Sequence, residues 1–81
     1  MERIKQNTHV VGLKQTKKAI EAGKAALVFI AEDADGYVAY PIEQLCVERC
    51  VEIVRAPSMK ELAKACHVEV PTAFAAIVKD A

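Results

Sequence analysis

Lys14, Gln15 and Lys18, with Lys17 beside them, stand at i, i+1 and i+4 of a stretch whose apolar residues recur at helical spacing. Residues so spaced share one side of a helix. Ammonium groups neutralise phosphates, and lysine and glutamine side chains donate to phosphate oxygens and to base edges. Lys14 falls in the first turn, where a cation opposes the helix dipole by about 0.3–1 kcal/mol. A chain tuned for stability alone would carry Asp or Glu there. A helix N-terminus with free backbone N–H groups and basic side chains is an anion site. An ordinary solvated helix face has the same composition, so the pattern alone leaves both readings open.

Three further groupings have residue types that can do chemistry. The segment His67-Val68-Glu69-Val70-Pro71 places two valines in a loop. Either they bury against the core or they offer an apolar patch to a partner; such a patch beside a basic helix end suits unstacked RNA bases. Glu32, Asp33 and Asp35 form an acidic turn. Paired carboxylates can act as acid and base or hold a divalent cation, but the spacing is short and no second cluster supports either role. A single carboxylate can instead accept a hydrogen bond from a base N–H. Cys46, Cys50, Cys66 and His67 contain no CxxC, and Cys46 lies on an apolar stripe. The cysteines are expected to be buried and structural, with no metal site and no cofactor. No Gly-rich phosphate loop and no nucleophile elbow is present.

The 81 residues are expected to form a single domain. A chain of this size buries only about 60 % of the surface that it exposes when unfolded, which leaves little room for both a core and a deep catalytic pocket. No enzymatic activity is expected. Hydrophobic residues make up 53 % and charged residues 27 %, which excludes a disordered chain. The longest apolar run is Ala25–Ala31, far short of the roughly 18 residues that span a bilayer. The N-terminus is polar with no apolar stretch of signal-peptide type, so a cytoplasmic location is expected, as is the absence of a disulfide framework from three cysteines. Net charge is zero, but its distribution is not even. Residues 1–24 hold six basic and two acidic side chains, residues 25–54 one and six, and residues 55–81 four and three. One electropositive face is the expected result.

Alternating helices and strands must position these groups. Residues 3–7 read as a short opening helix, and Gly12 closes an apolar stretch over 9–11. Residues 13–22 read as a helix with Leu13, Thr16, Ala19 and Ile20 on one stripe and Gly23 just past its end, where a C-terminal cap favours glycine. Ala25–Ala31 (AALVFIA) is continuously apolar, the mark of a central strand covered on both faces. A helix is expected over about 38–49, with Pro41 in its first turn and Ile42, Leu45, Cys46 and Arg49 along one side. Residues 51–55 alternate as a strand. Ser58 and Glu61 form a capping box for a helix whose apolar side is Leu62, Ala65 and Cys66. Residues 67–71 are a loop and residues 74–79 a last strand. The fold class is α/β, with helices on both faces of one sheet.

The run from Gly12 to Ala25, GLKQTKKAIEAGKA, followed by LVFIAED at residues 27–33, resembles the signature of the kink-turn-binding ribosomal-protein superfamily of L-seven-Ae and L-thirty-e type, in particular its small bacterial branch. PSMKELAKAC at residues 57–66, with Val68-Glu69-Val70, is similar to the second motif of that family, about 40 residues further on. The resemblance covers about residues 10–78. It implies a three-layer α-β-α sandwich around a small mixed sheet of about four strands. It also implies binding to RNA kink-turns, in which a bulge bends a helix and tandem G·A pairs follow. The helix N-terminus that touches those pairs would be supplied here by Gly12, Lys14, Gln15 and Lys18. The loop that packs on the bulge would use Val68, Glu69 and Val70, and the acid that reads a flipped-out base would be Asp35. The implied partner is a kink-turn in ribosomal or regulatory RNA, a role compatible with ribosome association and with translation. The chain departs from the pattern at four places. Lys14-Gln15 stands where many members carry Asn-Glu, although the bacterial branch resembles Lys-Gln; Ala63 and His67 stand where the late motif has glycines, at His67 one that often needs positive φ; and Gly36 stands where a proline is common. The alternative is a protein–protein interaction module of the same fold without RNA affinity.

Overall fold

The computed structural model describes residues 9–79; the opening helix expected over residues 3–7 lies outside them. The elements follow in the order β1 (His9–Val11), α1 (Leu13–Glu21), β2 (Ala25–Ala31), α2 (Gly36–Glu48), β3 (Glu52–Ala56), α3 (Met59–Ala65) and β4 (Phe74–Val78). The four strands make one mixed sheet in the order β1-β4-β2-β3. β2 and β3 are parallel, with α2 as their crossover, and β4 runs antiparallel to both β1 and β2. The central pair is β2 and β4, which is why AALVFIA and FAAIV carry no polar residue: both of their faces are covered.

Alternation along β2 divides the core in two. Val28 and Ile30 face α1 and α2, where they pack with Ala19, Ile20, Ala39, Ile42 and Cys46. Leu27 and Phe29 face α3, where they pack with Leu62, Ala65 and Cys66. The result is the expected α-β-α sandwich, two helices on one face and one on the other. Burying each such aliphatic or aromatic side chain contributes about 1.5–3 kcal/mol, so these two clusters, and not the surface ion pair of Arg55 with Glu43, hold the sheet.

Several boundaries differ from the sequence reading. α2 begins at Gly36, two residues earlier than expected, because Asp35 caps it: the Asp35 Oδ1 accepts from the Tyr37 N–H at 2.9 Å. Pro41 therefore lies inside the helix and not in its first turn. It has no N–H for the Tyr37 carbonyl, and the exposed setting of both residues lets water satisfy that oxygen. Residues 9–11, read only as an apolar stretch, form an edge strand paired with β4. Leu13, placed on the buried stripe of α1, is 42 % exposed, since the helix starts beyond the end of the sheet. Arg49, expected on the apolar side of α2, is exposed and donates to the Glu21 carbonyl at 3.4 Å. β3 and β4 each end within one residue of expectation.

The three helices of the described residues end in the same way. In each, the residue after the C-cap has positive φ: Gly23 at 72°, Cys50 at 56° and His67 at 61°. The N–H of that residue and of the next close paired bonds back onto the last turn, Gly23 to Ile20 and Lys24 to Ala19, Cys50 to Val47 and Val51 to Cys46, His67 to Lys64 and Val68 to Ala63. These are Schellman motifs. The position that ordinarily takes glycine is filled once by Gly and twice by a residue with a side chain.

Candidate nucleic-acid interface

Strand directions decide which loops meet. The C-terminal ends of β1, β2 and β3 and the N-terminal end of β4 lie at one end of the sheet. The start of α1 follows β1, the acidic turn follows β2, the Ser58 cap follows β3, and residues 67–73 lead into β4. Backbone bonds tie these segments together. The Gly12 N–H donates to the Phe74 carbonyl at 2.8 Å, Ala31 to Ala73 at 2.9 Å and Glu32 to Ala56 at 2.9 Å.

α1 starts without a side-chain cap. Its N-cap is Gly12, at φ 97° and ψ 159°, and no acidic residue lies in the first turn. That backbone region is open almost only to glycine. The first N–H groups of the helix are thus left to solvent, at the positive end of the helix dipole. Lys14, Gln15, Lys17 and Lys18 are all exposed. With Glu21 they line an open recess of about 430 Å³. Thr16, Ala19 and Ile20 bury the opposite side, so the basic side faces outward by necessity. The expected set Gly12, Lys14, Gln15 and Lys18 is held together on one surface of one helix.

The acidic turn is less free than its composition implies. Asp33 Oδ1 accepts from the Met59 N–H at 2.8 Å, while Ser58 Oγ accepts from the Glu61 N–H at 3.1 Å. Two donors at the start of α3 are thereby satisfied, one by the expected capping box and one by an acid 26 residues away in sequence. Asp33 is structural, which sequence spacing had no means to indicate. Asp35 is exposed and holds α2 through Oδ1. Its second oxygen has no protein donor among the described residues.

The two valines of the late loop divide between the two roles considered for them. Val68 is half-buried against the cluster of Leu27, Phe29 and Leu62, whereas Val70 is 69 % exposed. Glu69 is exposed. Val68 and Glu69 border a recess of about 300 Å³ together with Lys60, Lys64, Ala63 and Pro71, so two lysines of α3 stand beside the loop. His67, where glycine was displaced, keeps the turn in the left-handed conformation all the same.

The cysteines are not uniformly buried as expected. Cys46 and Cys66 are buried, but Cys50 is exposed, because it occupies the turn after α2 and not the helix side. Burial pushes the Cys66 thiol up from its ordinary value, and burial, with Glu43 nearby, does the same for Cys46. Such thiols are poor nucleophiles. Among the described residues no three His, Cys, Asp or Glu side chains converge as a metal site, and no helix is long and apolar enough to cross a membrane.

What the sequence reading passed over is aromatic. Tyr37 and Tyr40 stand on the first turns of α2, 95 % and 60 % exposed, next to Asp35.

Residues 2–81 match the family described as Ribosomal protein L7Ae/L30e/S12e/Gadd45. The chain is 45 % identical over 69 residues to an RNA-binding protein of Caldanaerobacter subterraneus subsp. tengcongensis, covering 85 % of this chain and 84 % of that one. It is 38 % identical over 79 residues to an RNA-binding protein of Halalkalibacterium halodurans, covering 96 % of each. Among solved structures, the Giardia lamblia 15.5kD RNA binding protein superposes with a TM-score of 0.87 at 33 % identity, covering 98 % of this chain and 70 % of that one.

Proposed function

The chain belongs to the L7Ae/L30e/S12e/Gadd45 family of ribosomal proteins, and from that premise we propose that it is a non-enzymatic protein that binds structured RNA, with kink-turns as its targets. Relatives bearing the name RNA-binding protein support the first part. One observation carries the second. The uncapped N-terminus of α1, with Lys14, Gln15 and Lys18 turned outward, shares one end of the sheet with Asp35 and with Val68-Glu69-Val70.

In this reading Gly12 lets the backbone approach the RNA closely, because no Cβ intervenes. The free N–H groups and the lysines take phosphates, which orient the protein without reading sequence. Gln15 and Lys14 reach the edges of the tandem G·A pairs. Val70, with the exposed edge of Val68, packs on the bulge, and Glu69 and Asp35 accept from base N–H groups. A carboxylate repels phosphate but pairs with a base donor, which selects a splayed base over the backbone. In this reading the protein acts in the cytoplasm, with the ribosome as a natural site of action.

The test is a titration of a kink-turn RNA against a matched duplex without the bulge. The expected result is a clear preference for the kink-turn, weakening with salt. Equal affinity for the two overturns the kink-turn reading.

A further inference from the structure

α1 and α3 turn charged side chains outward, Lys14, Lys17 and Lys18 on the one and Lys60, Glu61 and Lys64 on the other, as surface helices ordinarily do. α2 does not. Of the six large hydrophobic side chains exposed among the described residues, four are on α2: Tyr37, Val38, Tyr40 and Val47. Its opposite side already packs in the core through Ala39, Ile42 and Cys46. The helix is thus apolar on two sides, the pattern of a helix covered on both. The outward residues also keep a register. Tyr37, Tyr40, Gln44 and Val47 follow at intervals of three, four and three, which are the a and d positions of a heptad seam. All four are exposed, along about 15 Å of helix. In that register Glu43 and Glu48 fall at the g and e positions that flank a seam.

We propose that this seam docks a basic amphipathic helix of a protein partner, with apolar side chains set among Tyr37, Tyr40 and Val47 and with lysine or arginine against Glu43 and Glu48. The inference goes beyond the RNA reading above, which uses none of the four seam residues. Charge chooses the occupant. From Asp35 to Glu52 the chain holds four acidic residues, Asp35, Glu43, Glu48 and Glu52, and one basic residue, Arg49. Arg49 is turned to the Glu21 carbonyl, and Glu48 has no ion pair among the described residues. Such a face repels RNA phosphates. A second copy of the chain would set the same acids against each other, and like charges across an interface oppose association. A cationic helix meets both the apolar seam and its acidic flanks. It also brings donors to the Tyr37 carbonyl, which Pro41 leaves without a helical N–H, beside the open hollow of about 580 Å³ that Tyr37, Tyr40 and Pro41 line. Gln44, the polar residue of the seam, fixes the register, as a single polar a position does in coiled coils. The basic side chains that face RNA are on another helix, so RNA and the helical partner are held together. A partner resident on the same RNA carries cationic surface for the same reason that α1 does.

The probe is a synthetic peptide about three heptads long, with leucine at a and d, asparagine at the central a position and lysine at e and g. Its counterpart has glutamate in place of lysine. Neither peptide contains an aromatic residue. The two tyrosines, in a chain without tryptophan, therefore report docking by their emission. The expected result is a saturable change in emission with the lysine peptide and none with the glutamate peptide. Val47→Glu separates docking from plain attraction between opposite charges. Val47 is 69 % exposed, so the fold is expected to be unaffected. The variant adds an acid, and plain attraction would tighten binding of the lysine peptide, whereas docking on the seam weakens it about tenfold or more. Tyr40→Ala is expected to weaken it as well. The seam is overturned if the lysine peptide leaves the emission unchanged, or if Val47→Glu binds it as tightly as wild type. It is also overturned if the wild type sediments as a dimer that Val47→Glu dissociates, which assigns the face to a second copy, or if Val47→Glu weakens kink-turn RNA as much as it weakens the peptide, which assigns the face to RNA. A protein indifferent to the kink that docks the peptide as described keeps the seam and loses kink-turn specificity. One that prefers the kink-turn and ignores the peptide keeps the function proposed above and loses the seam.

Discussion

The Gly12 N–H donates to the Phe74 carbonyl at 2.8 Å, so the start of α1 and the end of the loop that carries Val68, Glu69 and Val70 are parts of one rigid junction. The bond continues the pairing of β1 with β4 by one residue past Val11 and Ala75. Gly12 then turns the chain into the helix at φ 97° and ψ 159°. Two surfaces that sequence places more than fifty residues apart are in this way held in fixed relation, as the proposed recognition of a bent RNA requires.

The first prediction follows from that geometry. A Cβ at Gly12 meets nothing within 4 Å, so Gly12→Ala carries no steric clash. Its penalty is conformational, about 1–3 kcal/mol for a non-glycine residue held in this region. The thermal midpoint is expected to fall accordingly. RNA affinity is expected to fall as well, since relaxing the strain re-aims the first turn of α1. An unchanged midpoint would show that the backbone is not strained there.

The second concerns the two helix ends that lack glycine. A side chain in the left-handed region costs roughly 1–2 kcal/mol, partly offset by the greater freedom that glycine gives the unfolded chain. Cys50→Gly and His67→Gly are therefore each expected to raise stability by about 0.5–1 kcal/mol. The gain should be larger at Cys50, because histidine tolerates this conformation better than most residues. Gly23→Ala is expected to move the midpoint the other way. Denaturant unfolding of the three variants checks the order, and a loss of stability in either glycine variant would contradict it.

These helix ends also show what the sequence made legible. Continuous apolarity announced β2, Ser58 and Glu61 announced α3, and Gly23 announced the end of α1, since each is a local signal with a local cause. The positive φ at His67 was legible only through the resemblance, which puts such a residue there, and not from the histidine itself; the conformation is held by the paired bonds onto Lys64 and Ala63. β1 was hidden because three residues carry no periodicity, and their pairing partner lies in β4. The start of α2 was misplaced because Pro41 is a stronger sequence signal than Asp35, although the cap decides the structure. Within the site, the basic face of α1 was readable from spacing, whereas the structural duty of Asp33 and the outward position of both tyrosines depend on tertiary packing.

The third prediction separates the cysteines. Cys50 is exposed, whereas Cys46 and Cys66 are buried and burial raises their thiol pKa. A thiol reagent under native conditions is expected to modify Cys50 rapidly and the other two only on unfolding. Cys50→Ser should abolish the fast phase. Because burial holds the folded pKa of both thiols above the ordinary value of a cysteine, the neutral thiols support the fold fully at any pH below that ordinary value. Their contribution declines as pH rises through and beyond it, when the unfolded chain gains thiolates that the folded core disfavours. A fast phase of three thiols would disprove the burial.

The fourth prediction divides charge from hydrogen bonding on α1. Lys18 and Gln15 are both exposed and line the same recess, so alanine at either site removes little packing, and the thermal midpoint is expected to stay within about 0.5 kcal/mol of wild type. Their effects on RNA binding should differ in kind. A lysine that neutralises one phosphate releases its counterion, so Lys18→Ala is expected to reduce the slope of log affinity against log salt by about 1 and to weaken binding to kink-turn and plain duplex alike. Glutamine carries no charge. Gln15→Ala should leave the slope unchanged while weakening the kink-turn complex by about 1–3 kcal/mol through loss of a base-edge contact, with little effect on the duplex. Affinities measured for both RNAs across a salt series resolve the two. If both variants lower the slope, or if Gln15→Ala weakens both RNAs equally, the helix reads only the phosphate backbone, and the discrimination of G·A pairs lies elsewhere on this end of the sheet.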